Sequence, residues 1–256
     1  GNLVTNTAYA DAVPAWLATF NERRAIDSFF AANWDRTGPA AAYDGLVDDR
    51  RFEWVHGNGS GERTLPQPLT GGKPGPEAAY YAQLSASPFG NTIVRLAAEA
   101  ALDGMQLGAD DVPDLLCVSF SATDLIGHYF GPDSVEARDG LLRLDRELAL
   151  LFEFLDRRVG ADRWAVFCTA DHGVAPPPEA SEAEGRPAAR GPIDTWVRSA
   201  VEAALRDALG APEDGGRYCA HVGENAVFLD RAVLPEPSAE VLRRAAAGVV
   251  VTEAEA

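Results

Sequence analysis

Leu115-Leu116-Cys117-Val118-Ser119-Phe120-Ser121-Ala122-Thr123-Asp124-Leu125-Ile126-Gly127-His128 and, further along, Trp164-Ala165-Val166-Phe167-Cys168-Thr169-Ala170-Asp171-His172-Gly173 decide the architecture. Each opens on a short continuous apolar run, the pattern of a strand buried on both faces. Between them Ser134 to Val159 reads as a long helix, with Leu141, Leu144, Leu148, Leu151, Phe152 and Leu155 along its apolar stripe. Gly160 stands where a left-handed C-terminal cap belongs. Strand, helix and strand, joined by a crossover from Ser121 to Arg163, form a βαβ unit, which requires parallel strands and a right-handed connection. The fold class is therefore α/β: helices flanking part of a parallel sheet.

Working outward, Asn91 to Leu107 predicts a helix with Ile93, Leu96, Ala97, Ala100 and Ala101 on one face. Residues 1–90 are rich in turn formers, apart from a predicted helix from Ala12 to Phe30. Gly57-Asn58-Gly59-Ser60-Gly61 and Gly71-Gly72-Lys73-Pro74-Gly75-Pro76 are loops, and neither has the Gly-Lys-Ser/Thr ending of a phosphate-cradling loop. Beyond the second strand, Pro176 to Gly191 reads as an exposed loop, Ile193 to Leu209 as a helix, Ala226 to Leu229 as a short strand and Ala239 to Ala247 as a helix. Residues 1–256 thus read as one domain in three parts: a loop-rich segment 1–90, an α/β core 91–175 and an insertion-like α+β segment 176–256. Two clear core strands are few for a sheet, so exposed sheet edges are expected.

The composition narrows the function. With 256 residues there is one large domain or two small ones at roughly 150 residues each. Lys plus Arg is 22 and Asp plus Glu 39, a net charge of 22 − 39 = −17. That charge argues against nucleic-acid and anionic-membrane partners. No stretch has the roughly 18 apolar residues of a membrane span, and Gly1-Asn2-Leu3-Val4 does not open a signal peptide. Both ends are expected to be cuts in a longer chain. Cys117, Cys168 and Cys219 make no disulfide framework and no CxxC motif. The two in apolar runs are expected to be buried free thiols.

Ligands in parallel α/β sheets bind beyond the carboxyl ends of the strands. One βαβ unit here delivers an Asp and a His from each of two such ends. Asp124 and His128 are four apart, so a helical turn brings both to one face. Asp171 and His172 are adjacent and converge only where the strand ends and turns through Gly173. Carboxylate oxygen with imidazole nitrogen suits zinc, with manganese or iron possible. Two such pairs suit two ions about 3.5–4 Å apart, a clamp for phosphoryl transfer. The plainer alternative is that each pair is a helix cap or hydrogen-bonding partner; joint placement on consecutive strands favours the metal.

Ser119 to His128, Gly131-Pro132-Asp133-Ser134, Arg143-Leu144-Asp145 and Thr169-Ala170-Asp171-His172-Gly173 together resemble the alkaline phosphatase superfamily. The likeness is to its zinc-dependent alkaline phosphatases related to type I phosphodiesterases and nucleotide pyrophosphatases. Tyr9, Pro14-Ala15-Trp16, Phe20-Asn21 and Trp34 resemble that branch as well. The resemblance implies that Asp124 and His128 ligate one zinc and Asp171 and His172 the other. It further implies a phosphate ester as substrate, a phosphomonoester first and a phosphodiester or nucleotide pyrophosphate second. Such enzymes work through a Thr or Ser that becomes transiently phosphorylated. That nucleophile, an early Asp ligand, a late His ligand and the phosphate-contacting Lys and Arg are not recognisable in this chain, which resembles the middle of the enzyme. The isolated chain is therefore expected to be inactive, and a non-catalytic fragment is the rival reading. Many relatives are exported, so a periplasmic or secreted location is implied.

Four other residues are weighed for a role. His221 is weighed as the late His, but it lacks the following Gly. Thr123 and Ser121 lie near the site and are expected to hydrogen-bond to the Asp124 loop. His56 is expected at the surface, beside a glycosylation sequon at Asn58-Gly59-Ser60.

Overall fold

In the computed structural model residues 2–46, 65–188, 191–212, 215–223 and 226–234 are described. His56, the sequon and the predicted helix Ala239 to Ala247 lie outside them. The chain divides into two compact units, Gly1–Pro176 and Pro177–Ala256.

The first unit is built on five helices: α1 Ala15–Glu22, α2 Ala78–Ser85, α3 Pro88–Gly104, α4 Ala122–Phe130 and α5 Val135–Arg158. β1, Asn33–Trp34, pairs antiparallel with β2, Gln67–Pro68. α3 starts on Ser87 with Pro at its first position, where the missing N–H is no loss. α5 starts on Ser134, whose hydroxyl accepts from the Ala137 N–H at 3.0 Å. Glu136 in its first turn and Arg157 and Arg158 in its last complement the helix dipole. α4 stops at Gly131, which takes φ +86°, a conformation that side chains with a Cβ resist.

α4 is clamped from several sides. Ile126 and Phe130 bury into a cluster with Trp34, Tyr43, Leu65 and Val135, and Trp34 meets Phe130 edge-to-face at 5.8 Å. The seat for Trp34 is a polar one. Asp139 on α5, fully buried, accepts from Trp34 Nε1 at 2.8 Å, Thr37 N–H at 2.7 Å, the Tyr43 hydroxyl at 2.7 Å and Arg143 Nε at 2.6 Å. Arg143 also donates to Asp35 O at 2.7 Å. Burial, reinforced by the Asp139 carboxylate, holds the Tyr43 hydroxyl above its usual pKa, so it keeps the proton it donates.

The structure corrects the predicted elements in four places. The helix expected over Ala12 to Phe30 ends at Glu22; Arg24 takes φ +49° and a 3-10 turn, Ala25–Phe29, follows. The break turns Asp27 towards Tyr81, whose hydroxyl it accepts at 2.8 Å, and tertiary contact overrides helix propensity. α2 sits in the segment expected to be loops. The apolar runs 115–120 and 164–169 form no strand and pair with no neighbour among the described residues. Val118 and Phe120 lean on Ala98, Leu102 and Leu151, whereas Leu115 is 88% exposed and Phe167 96%. The runs are thus not buried on both faces, because double burial needs a layer on each side. For the same reason Cys117 and Cys168 are exposed; Cys219 alone is buried.

The second unit holds α6 Pro178–Ala183, α7 Ile193–Leu209 and a hairpin of β3 Cys219–Val222 with β4 Val227–Leu229. Val201 and Leu205 of α7 pack on Tyr218 and Cys219. α6 lies where an exposed loop was expected; six residues are too few to show a helical period, and Pro-Pro followed by Glu-Ala-Ser-Glu-Ala starts a short helix readily. No helix among the described residues is long and apolar enough to cross a membrane.

Candidate metal centre

α4 carries two donors. Asp124 stands in its first turn and His128 one turn on, so both project from the same face. His128 Nε2 lies 3.2 Å from Asp124 Oδ1. The third donor comes from the chain beyond the second apolar run, where His172 Nε2 lies 3.5 Å from the same Asp124 oxygen. The two imidazoles meet edge-on, with centroids 5.6 Å apart. Each of the three residues presents a ligand atom, and these atoms lie within 4.8 Å of one another.

Two local features produce this convergence. Gly127 precedes His128, and a Cβ there would meet Val174 Cγ2 at 3.0 Å. Glycine lets the chain after His172 lie close against α4. His172 Nδ1 lies 2.9 Å from Gly173 O. A carbonyl only accepts, so Nδ1 carries the proton and, in the neutral ring, the lone pair sits on Nε2, the nitrogen facing Asp124.

The donor set fits zinc. Two ligand atoms about 2.1 Å from one tetrahedral ion lie about 3.4 Å apart, and the 3.2 and 3.5 Å separations match that edge. One carboxylate oxygen with two imidazole nitrogens is a zinc-type set. The side chains of Asp124, His128 and His172 are 30%, 57% and 49% exposed, which leaves an open side where a further ligand or substrate can approach.

Asp171, read from the sequence as a ligand beside His172, lies outside the group of three. Its Oδ1 accepts the His172 backbone N–H at 3.0 Å and its Oδ2 is 3.7 Å from His172 Nε2. His172 Nε2 thus stands near both Asp171 and the Asp124–His128 pair, 3.7 Å from Asp171 Oδ2 and 3.5 Å from Asp124 Oδ1. His221 lies on β3 in the second unit, its ring against Phe228 with centroids 5.9 Å apart. Thr123 and Ser121 serve partners other than Asp124. Thr123 Oγ1 accepts from Asn91 Nδ2 at 3.0 Å, and the Ser121 and Ser119 hydroxyls lie 2.7 Å apart. Neighbours on a helix project about 100° apart, which turns Thr123 away from Asp124. Sequence reading missed Asn91, Gly127 and Asp139. A polar residue at the start of the apolar face of α3 was the one available signal, for Asn91.

The family model for type I phosphodiesterase / nucleotide pyrophosphatase matches residues 7–215. The chain is 34% identical over 241 residues to the alkaline phosphatase PafA of Elizabethkingia meningoseptica, covering 94% of this chain and 42% of that protein. It is 32% identical to the alkaline phosphatase PhoV of Synechococcus elongatus, over 68% of this chain and 31% of that one. It is also 36% identical to human ectonucleotide pyrophosphatase/phosphodiesterase family member 7, over 24% of this chain and 13% of that one. The crystal structure of wild-type PafA superposes with a TM-score of 0.67 at 31% identity, covering 89% of this chain and 42% of that chain. The chain thus spans less than half the length of the relatives it matches.

Proposed function

The chain belongs to the type I phosphodiesterase / nucleotide pyrophosphatase family, within the alkaline phosphatase superfamily, and from that premise we propose that it carries the metal-binding part of a zinc-dependent phosphoric ester hydrolase acting on monoesters. The observation that carries this reading is the meeting of Asp124, His128 and His172 around one point with zinc-like spacing. Zinc, when bound, supplies Lewis acidity towards a phosphoryl oxygen. Asp124 Oδ1 and the two Nε2 atoms would hold the ion, and Gly173 O fixes the His172 tautomer. The family likeness implies Asp171 and His172 for a second ion; we keep Asp171 there and assign His172 to the first by its spacing from Asp124. The group that accepts the phosphoryl, and the remaining ligands, lie on this reading in the part of the relatives' length that this chain does not span.

The extent of likeness favours monoesters, since the alkaline phosphatase match runs over 94% of the chain and the human phosphodiesterase match over 24%. A diesterase is the second reading, favoured by the family model itself. The test is hydrolysis of p-nitrophenyl phosphate and bis-p-nitrophenyl phosphate, with zinc, by residues 1–256 and by the chain extended to its relatives' length. Turnover of the monoester by the extended chain alone is expected, falling at least about 100-fold in His172→Ala. Turnover by residues 1–256, or an extended His172→Ala variant as active as its parent, would overturn the assignment; a preference for the diester would replace the substrate class.

A further inference from the structure

Among the contacts outside the metal centre, one reaches the first turn of α4 from another helix. Asn91, near the start of α3 and 1% exposed, donates from Nδ2 to Thr123 Oγ1 at 3.0 Å. Thr123 immediately precedes Asp124, and its own N–H is given to Phe120 O at 3.1 Å. Thr123 therefore links the end of the first apolar run, α3 and the residue that both imidazoles face.

α4 has no cap of its own. Ser121 stands at the N-cap position with helical dihedrals and makes no capping side-chain bond, its hydroxyl lying against Ser119 instead. In its first turn the Thr123 N–H is given to Phe120 O and the Leu125 N–H to Ser121 O, both at 3.1 Å, and no side-chain cap adds to them. The neighbouring Gly90 brings α3 close, since a Cβ there would stand 3.0 Å from Ala122 Cβ and 2.9 Å from Leu84 O. α3 therefore seats the first turn of α4 by shape at Gly90 and by a buried hydrogen bond at Asn91.

We propose that Asn91 is a positioning residue for the metal centre: through Thr123 it fixes the first turn of α4 and so the place of Asp124. This rests on the zinc reading above. Zinc–ligand distances tolerate about 0.2 Å, so fraying of one helical turn spoils the ligand geometry while leaving the rest of the unit folded. Outer groups that orient metal ligands are worth about 10–100-fold in affinity when removed.

The experiment compares Asn91→Ala, Thr123→Val, the double variant and Thr123→Ser, all in residues 1–256. Zinc affinity is read by competition with a chromophoric chelator, and amide exchange of Thr123, Asp124 and Leu125 is read without metal. Asn91→Ala and Thr123→Val are each expected to weaken zinc about tenfold, the double variant no more than either single one, and Thr123→Ser to keep the parent affinity. Exchange in that turn is expected to quicken in the first three variants, while the thermal midpoint falls by only about 2–4 °C. Unchanged exchange at Thr123–Leu125 in Asn91→Ala overturns the proposal. So does zinc affinity that is unchanged, or additive loss in the double variant. If the parent chain binds no zinc at all, the metal reading fails, while the exchange measurement still decides whether Asn91 holds the turn.

Discussion

Asp124→Ala is expected to weaken zinc binding by residues 1–256 by at least about 100-fold. Zinc in a four-ligand protein site is held with about 10–16 kcal/mol, or roughly 3 kcal/mol per ligand, and each 1.4 kcal/mol is about tenfold. Asp124 has more at stake than an average ligand, because its Oδ1 is the atom that both His128 and His172 approach. Removing it takes away the only anionic donor of the group of three and leaves two imidazoles with no carboxylate between them. His172→Ala is expected to have a loss of the same order. Asp171→Ala is expected to change the affinity of the first ion far less, since Asp171 lies outside the group of three. Competition with a chromophoric chelator separates these cases. Equal losses for Asp124→Ala and Asp171→Ala would contradict the grouping.

The second large effect concerns stability. Asp139→Asn is expected to destabilise the folded chain by about 2–4 kcal/mol, the range for a buried charged group deprived of matched partners. The wild-type carboxylate is surrounded by four donors, from Trp34, Thr37, Tyr43 and Arg143. An amide in its place turns an N–H₂ group against one or more of them. Arg143 then loses its anion while still committed to Asp35 O. Damage passes to α4 through Trp34 and Phe130, so a secondary loss of zinc affinity accompanies the loss of stability. Urea unfolding of metal-free protein measures the first effect, and a change below about 1 kcal/mol would contradict it. The same junction sets an alkaline limit. The folded-state pKa of Tyr43 lies above its ordinary value of 10.0, so its contribution is complete below that pH and is lost as pH rises towards and through the raised value.

The long helices were legible in the sequence. α3, α5 and α7 begin and end within about three residues of the periodic stretches that announced them, as strongly periodic elements should. α1 was overextended because nothing near Arg24 announces a stop; the reason for the break is Tyr81, far along the chain. The two apolar runs were legible as segments outside the helices, but neither their lack of strand pairing nor their exposure was. Burial belongs to the neighbours of a segment, not to its own residues, and Leu115 and Phe167 stay 88% and 96% exposed.

The candidate site was legible in part for the same reason. A spacing of four puts Asp124 and His128 together by helix geometry alone, and the structure shows it. The entry of His172 into that pair depends on a close approach between Gly127 and Val174, a long-range contact that no local pattern encodes. Asp139 was invisible because an acidic residue in a helix rich in Asp, Glu and Arg reads as part of a solvated face. Its partners Trp34, Thr37 and Tyr43 stand about 100 residues away.

X-ray absorption at the zinc edge, on residues 1–256 loaded with one equivalent of zinc, tests the metal centre most directly. The expected spectrum has the nearest nitrogen and oxygen at about 2.0–2.1 Å, with the more distant scattering of two imidazoles, reduced to one in either His128→Ala or His172→Ala. A chain that retains no zinc, or a spectrum unaltered by both substitutions, would contradict the site.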